Sequence, residues 1–240
     1  GGLGVLAFIQ RHFLLVRSFA LPRIEMAYTP AMADSLPKGD PLSNKARAIL
    51  RMNAQNAYVN LVPRAAGSTE AADLLHTLTP ADLLEKPMVN ADAAAGLLSG
   101  LWLWHDYLDE SHTISQQLEN ADGSYWHAIM HRREGDFGNA KYWYARCRDH
   151  VVGNSIAANA GPIIARSPAD KALLRLTHNG WQPAAFVDFV QSVHESPSDP
   201  RYEVAVALQQ LEWRMMFDYC TRLAAGGNDA ADPFSPNPNA

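Results

Sequence analysis

Cysteine is nearly absent from this 240-residue chain, which contains only Cys147 and Cys220. Two thiols cannot form the disulfide framework of a small secreted domain, and they are too few for a zinc site made of cysteines. The chain also has no excess of positive charge, because 20 Lys and Arg against 25 Asp and Glu give a net charge of −5. A mildly acidic chain lacks the basic surface of nucleic-acid-binding proteins and is not attracted to anionic lipid. We therefore expect neither nucleic acid nor membrane as a partner.

The sequence has no hydrophobic run long enough to cross a membrane. Its longest apolar stretch begins at Leu3 and is interrupted by polar residues from Gln10 onward, well short of the roughly 18–20 residues that a span requires. No basic residue precedes this stretch and no clear cleavage pattern follows it, so it is a poor secretory signal. The first methionine is Met26, and we predict that residues 1–25 are a leader or fusion segment. These features favour a cytoplasmic location.

The common catalytic motifs are missing as well. The chain has no Gly-x-Ser-x-Gly nucleophile elbow, no P-loop, no Gly-x-Gly-x-x-Gly before a helix and no His-Glu-x-x-His. The function therefore has to be inferred from clusters of residues whose chemistry is unusual for a protein core.

Proline is absent from residues 88–161, although it recurs on both sides of them. Because proline breaks helix interiors, this gap is where long helices can form. No run of alternating β-branched residues predicts a strand, so we expect an all-α, single-domain irregular helical bundle with at most one short hairpin. We predict helices at residues 43–58, from Thr79-Pro80, and at 92–117, 124–135, 138–148, 183–194 and 199–223.

The ends of the chain differ in composition from its middle. We divide the chain into an extended or leader-like N-terminal segment at residues 1–41, a helical domain at 42–226 and a disordered tail at 227–240. The tail is polar and rich in proline, which is typical of a segment without a packed core.

Histidine and tryptophan are concentrated in the middle of the chain. Five of the nine histidines lie in residues 105–150, and four of the six tryptophans lie in residues 102–143. A stretch rich in titratable and aromatic side chains is typical of a lined pocket, although such rings also occur in ordinary cores.

Two sets of residues in this stretch have the spacing i, i+4, i+7, which places three side chains on one face of a helix. They are His105, Asp109 and His112, and His127, His131 and Glu134. Each set offers two imidazoles and one carboxylate, which are ligand types for Zn, Mn or Fe. A metal-free catalytic pocket or a structural hydrogen-bond network would satisfy the same side chains.

Imidazoles and carboxylates are suited to activating water, so we predict a hydrolase that acts on an ester, lactone or phosphoester bond of a small molecule, with or without a divalent metal. The candidate metal ligands are His105, Asp109, His112, His127, His131 and Glu212. The candidate acid–base residues are Glu110, Glu134, His127 and His131. The candidate substrate-binding residues are Trp102, Tyr125, Trp126 and Arg132.

Several charged candidates have a structural interpretation too. Glu212 lies on the apolar stripe of the last helix and could complete a metal site from a distant segment. It could equally form a salt bridge with Arg132, Lys141 or Arg214. Arg132 and Arg133 could bind an anionic substrate, but we expect both to face solvent.

Part of the sequence resembles a known family. Residues 104–116 (WHDYLDESHTISQ), residues 123–136 (GSYWHAIMHRREGD), Tyr142-Trp143 and the Leu211-Glu212-Trp213 region are similar to strings in a family of uncharacterised bacterial and fungal proteins. The resemblance covers about a third of the chain. Since no activity is established for that family, the resemblance implies no catalytic residues.

Two other classes of function fit the same residues. A non-catalytic protein could bind an aromatic or sugar-like molecule by ring stacking, with the histidines as hydrogen-bonding groups. A structural or interaction protein could retain a buried network of histidines and carboxylates.

Overall fold

The computed structural model describes residues 41–167 and 170–227. Within these ranges it contains ten α-helices, one 3₁₀ helix and no strand, so the expected all-α class is confirmed. The predicted leader at residues 1–25 and nearly all of the predicted tail lie outside the described residues. In the described ranges, no helix is long and apolar enough to cross a bilayer.

The helices begin and end where the local chemistry favours it. The helices are α1 (Asn44–Arg51), α2 (Thr69–Leu75), α3 (Ala91–Trp104), α4 (Leu108–Ser115), α5 (Ala121–Glu134), α6 (Phe137–Arg146), α7 (Val152–Ile164), α8 (Lys171–Arg175), α9 (Pro183–Val193) and α10 (Pro200–Ala224), with a 3₁₀ helix at Pro80–Leu83. Side-chain oxygens of Ser43, Asn90, Asn120 and Asp136 accept backbone N–H groups in the first turns of α1, α3, α5 and α6. Gly135 ends α5 with a φ of 90°.

The predicted helix positions are mostly close to the observed ones, with three helices missed. The first helix is shorter than predicted, since α1 ends at Arg51 rather than near residue 58. Helices α2 and α8 have only seven and five residues, too few to show a periodic pattern. Helix α7 contains Pro162 close to its end, which is why a sequence pattern does not predict it.

Helix α3 is the centre of the fold, because it is buried on nearly every side and packs against α4, α5 and α10. Its Gly96 and Gly100 leave room for the indole of Trp126 on α5. A Cβ atom at Gly100 would lie 2.8 Å from Cη2 of Trp126 and 3.1 Å from a ring carbon of Phe217. The two glycines therefore set how closely α5 approaches α3.

The predicted single helix at residues 92–117 is wrong, because the chain turns between Trp104 and Leu108. Helix α3 ends at Trp104, and Asp106 has a φ of 61°, a left-handed conformation that interrupts a helix. Helix α4 then begins at Leu108 in a new direction. The sequence gives no warning of this turn, since it contains neither glycine nor proline.

Arg133 of α5 stabilises this turn. Its guanidinium donates to the backbone carbonyl of Leu103 and to Oδ1 of Asp106, both at 2.6 Å. It also donates to the carbonyl of Asn60 at 3.2 Å and lies 3.8 Å from the ring centroid of Tyr58. Arg133 is completely buried, so the expectation that it faces solvent is wrong.

Arg132 is equally buried, and it forms an ion pair with Glu212 of α10. The phenols of Tyr125 and Tyr144 donate to Glu212 at 3.1 and 2.9 Å, and Arg132 also donates to Tyr144 at 2.7 Å. Of the two interpretations of Glu212, the structure shows the salt bridge. Arg132 has no exposed surface with which to bind a substrate.

We predict that Gly100→Ala lowers the free energy of unfolding by about 1–3 kcal/mol, because the new methyl group overlaps the Trp126 indole. Urea-induced unfolding provides the measurement. Gly138→Ala is the matched control, since its Cβ would lie 3.7 Å from the nearest atom, Oδ1 of Asp136, which is an ordinary contact. That variant should be as stable as the wild type or slightly more stable. If both variants are equally stable, the close approach of α5 to α3 does not depend on the absence of a side chain at residue 100.

Candidate metal centre

Three histidines meet where α4 crosses α5. His112 comes from α4, and His127 and His131 lie one turn apart on α5. One nitrogen from each ring lies within 4.8 Å of the others. The ring centroid of His112 lies 4.7 Å from the ring centroid of His127 and 5.4 Å from that of His131. The ring centroids of His127 and His131 are 4.7 Å apart. We call these three residues the histidine cluster, and it has the ligand types and proximity to hold a metal ion.

A metal ion would draw the three rings slightly closer. Tetrahedral coordination at 2.0–2.1 Å places ligand nitrogens about 3.4 Å apart, whereas the nitrogens of the cluster lie within 4.8 Å of one another. His112 is partly exposed, so its side chain has room to move. In the described part of the chain, the candidate ligand group contains no carboxylate. A set of imidazoles alone suits Zn, Fe, Cu or Ni better than Mn, Mg or Ca.

His131 is oriented by one hydrogen bond at each ring nitrogen. Its Nδ1 lies 3.0 Å from Oε2 of Glu134, and its Nε2 lies 3.1 Å from Nδ2 of Asn139. Nδ1–H therefore donates to the carboxylate, and the lone pair of Nε2 accepts from the amide. A carboxylate on the far nitrogen is the usual partner of a metal-binding histidine. Coordination through Nε2 requires the Asn139 amide to turn away.

His127 is the most buried member of the cluster. Only 3% of its surface is exposed, and its Nδ1 is buried with no hydrogen-bond partner. Trp143 of α6 covers one face of the ring, with the two rings nearly parallel at 15° and their centroids 4.0 Å apart. Burial, and then the charges of His131 and His112, lower the pKa of His127 to about 4. His127 is therefore neutral at pH 7, the form in which imidazole binds a metal.

His105 does not belong to the cluster, because the turn after Trp104 separates it from α4. Its Nε2–H donates to the carbonyl of Ile49 at 2.9 Å, and burial lowers its pKa. Asp109 is exposed on α4. The prediction that His105, Asp109 and His112 share one helical face is therefore wrong.

The aromatic candidates lie elsewhere too. Trp102 packs against His76 and Tyr107, with ring centroids 4.8 and 5.5 Å away. Tyr125 donates to Glu212, and Trp126 fills the space beside Gly96 and Gly100. These side chains build the core around the cluster and do not line it.

Asn139 and Trp143 of α6 contact the cluster, and neither was a candidate. They are four positions apart in the predicted helix at 138–148, so one helical face carries both. The sequence does contain a signal for this face. Two helices joined by a short linker pack antiparallel, so side chains near the start of the second helix lie opposite His131 and those one turn later lie opposite His127.

No protein-family model matches this chain, and no curated protein or solved structure shows a significant similarity to it. The chemistry of the site therefore rests on the geometry described above.

We predict that the free energy of unfolding falls as the pH decreases from about 6.5 to about 4, by about 3 kcal/mol from His127 alone. Within this interval the unfolded chain binds a proton at His127 and the folded chain does not, so protonation favours unfolding. Urea unfolding at pH 7 and pH 4.5 measures the effect, with His127→Gln as the variant that cannot titrate. If wild type and variant lose equal stability over this interval, the burial of a neutral His127 is not the cause.

We also predict that Asp106→Ala displaces His112. The change removes the carboxylate that pairs with buried Arg133 and places alanine at a φ of 61°, so we expect a loss of about 3 kcal/mol or more. The position of the His112 ring is followed through its imidazole NMR signals, which the neighbouring rings of His127 and His131 shift. Asp106→Asn retains an acceptor and tolerates the left-handed conformation, so its effect should be smaller.

Glu212→Gln is the control for this experiment. It weakens a buried ion pair on the adjacent Arg132, whose hydrogen bonds in the described part of the chain go to Glu212 and Tyr144. We expect lower stability with unchanged His112 signals. If Asp106→Ala and Glu212→Gln shift the His112 signals equally, the contact between Arg133 and Asp106 does not determine the position of His112.

Proposed function

We propose that this protein is a metal-dependent hydrolase that acts on an ester, lactone or phosphoester bond of a small molecule. The observation that supports it is the meeting of three imidazoles from two helices, one of which is buried, neutral and without a partner at Nδ1. A buried polar atom without a hydrogen bond costs roughly 1–3 kcal/mol, so such an atom calls for a ligand. A divalent transition metal bound by His112, His127 and His131 would take one nitrogen from each ring.

Three protein ligands leave a fourth position for water, which is typical of catalytic rather than structural zinc sites. A metal held by these three imidazoles would supply Lewis acidity, which activates water near neutral pH and polarises a carbonyl or phosphoryl oxygen. All three ligands are uncharged imidazoles, so they do not offset the positive charge of the ion. Among the metals expected from the sequence, this donor set favours Zn or Fe over Mn.

Glu134 is the best general base near the cluster. Its Oε2 accepts the Nδ1–H of His131 and its side chain is half exposed, so the other carboxylate oxygen would accept a proton from a water beside the cluster and release it to solvent. Glu110 lies two residues before His112 on α4, and residues separated by two positions do not share a helical face. We therefore assign the base to Glu134 rather than to Glu110.

We predict that the purified protein, incubated with Zn²⁺ or Fe²⁺ and desalted, retains about one equivalent of metal by elemental analysis. His112→Gln and His131→Gln should each weaken metal binding at least tenfold, because each removes one ligand of three. His105→Gln is the matched control, since glutamine can still donate to the Ile49 carbonyl and His105 lies outside the cluster. It should bind metal like the wild type.

Hydrolysis is then measured on the nitrophenyl esters of acetate and phosphate. We expect turnover that a chelator abolishes, that added metal restores and that Glu134→Gln lowers by about a hundredfold, within the usual range for loss of a general base. Metal binding without hydrolysis would make this a metal-binding protein and not an enzyme. Failure of the wild type to bind any of the divalent transition metals would overturn the proposal altogether.

A further inference from the structure

Helix α6 forms one wall of the histidine cluster. It runs antiparallel to α5, as its contacts show: Asn139 meets His131, and Trp143, one turn later, meets His127. The next residue on the same face is Arg146, because Asn139, Trp143 and Arg146 have the spacing i, i+4, i+7. The wall therefore continues past the cluster to a guanidinium group.

Arg146 is an exposed cation stacked beside two aromatic rings. Its guanidinium carbon lies 5.2 Å from the ring centroid of Trp143 and 5.9 Å from that of Tyr142. Tyr142 is itself 56% exposed, which is unusual for so large a ring, and it meets Trp143 edge to face. Within the part of the chain that the structure describes, Arg146 has no ion-pair partner, whereas Lys141 on the same helix pairs with Asp188 at 2.6 Å.

We propose that Arg146, Trp143 and Tyr142 form a subsite for an anionic group of the substrate, an inference that rests on the proposed function. The substrate would then be an ester that carries a carboxylate or a phosphate next to a planar apolar body. A guanidinium offers two parallel N–H donors that match either oxyanion, and the exposed rings offer a surface for the planar part. Trp143 connects this subsite to the cluster, because its ring contacts both Arg146 and His127.

The charge of the cluster supports an anionic substrate as well. Its three ligands are imidazoles rather than carboxylates, so a bound divalent ion would remain positively charged. Glu134, the nearest carboxylate, is engaged with His131. The chain as a whole has a net charge of −5, so an exposed arginine without an ion-pair partner among the described residues is a local place where an anion is attracted.

The test measures the binding of three small probes to the metal-free full chain by isothermal titration calorimetry. Phenylphosphonate and benzoate carry the two candidate anions, and benzyl alcohol is their neutral analogue. Arg146→Met removes the charge and keeps the length of the side chain over the rings, while Arg146→Lys keeps the charge without the planar fork. Arg148→Met is the matched control, because Arg148 is also exposed and lies only two positions away.

We expect Arg146→Met to lower the affinity for at least one anionic probe about tenfold or more, because the substitution removes a charge-assisted hydrogen-bond pair. Arg146→Lys should have an intermediate effect, Arg148→Met less than a twofold effect, and benzyl alcohol should bind all four proteins equally. The probe whose affinity falls more in Arg146→Met shows whether the anionic group of the substrate is a phosphate or a carboxylate. Equal binding of both anions to wild type and Arg146→Met overturns the subsite.

The two proposals fail in different ways. Binding to the metal-free protein does not depend on catalysis, so an anion that requires Arg146 supports the subsite even if no metal binds. Conversely, metal-dependent hydrolysis of neutral and anionic esters at the same rate, with Arg146→Met unchanged, would leave the hydrolase and remove the subsite.

Discussion

The contact between Arg133 and the turn at Asp106 determines the geometry on which the rest of the structure depends. Arg133 donates to the carbonyl of Leu103 in the last turn of α3. It also donates to the carboxylate of Asp106, the residue of the turn that has a left-handed backbone conformation. These bonds redirect the chain, so α4 crosses α5 instead of extending α3. His112 reaches His127 and His131 only because of this crossing. A buried arginine on α5 thus defines the approach of a helix that carries one member of the histidine cluster.

Helix α5 connects the core to the site through three consecutive residues. His131 belongs to the cluster, Arg132 pairs with Glu212 of α10, and Arg133 holds the turn between α3 and α4. Successive residues of a helix point about 100° apart, so the three side chains reach three different neighbours. Two buried charges on one helix are stable only because each has a carboxylate partner and further hydrogen bonds. These bonds also fix the rotation of α5, and therefore the direction in which His127 and His131 point.

Local signals in the sequence predicted much of the fold but not its turning point. Capping residues and the proline-free interval located most helices, and the spacing of His127 and His131 placed both on one face. The turn at Asp106 could not be predicted, because it depends on Arg133, a residue 27 positions away along the chain. The burial of Arg132 was missed for the same reason, since its partner Glu212 is 80 residues distant. Charged residues are rarely buried without a partner, and a single sequence does not show which partners meet.

The buried histidines outside the cluster show what structural histidines look like in this fold. His150 donates from Nε2 to Asp122 at 2.8 Å and accepts the N–H of Val152 at Nδ1, so both of its nitrogens are satisfied. His105 donates to the Ile49 carbonyl. Among the described residues, His127 is the histidine that has a buried nitrogen without a hydrogen-bond partner, and like His112 and His131 it contacts two other imidazoles. The histidine cluster, which could hold a metal ion, lies at the junction that Arg133 and the turn at Asp106 create.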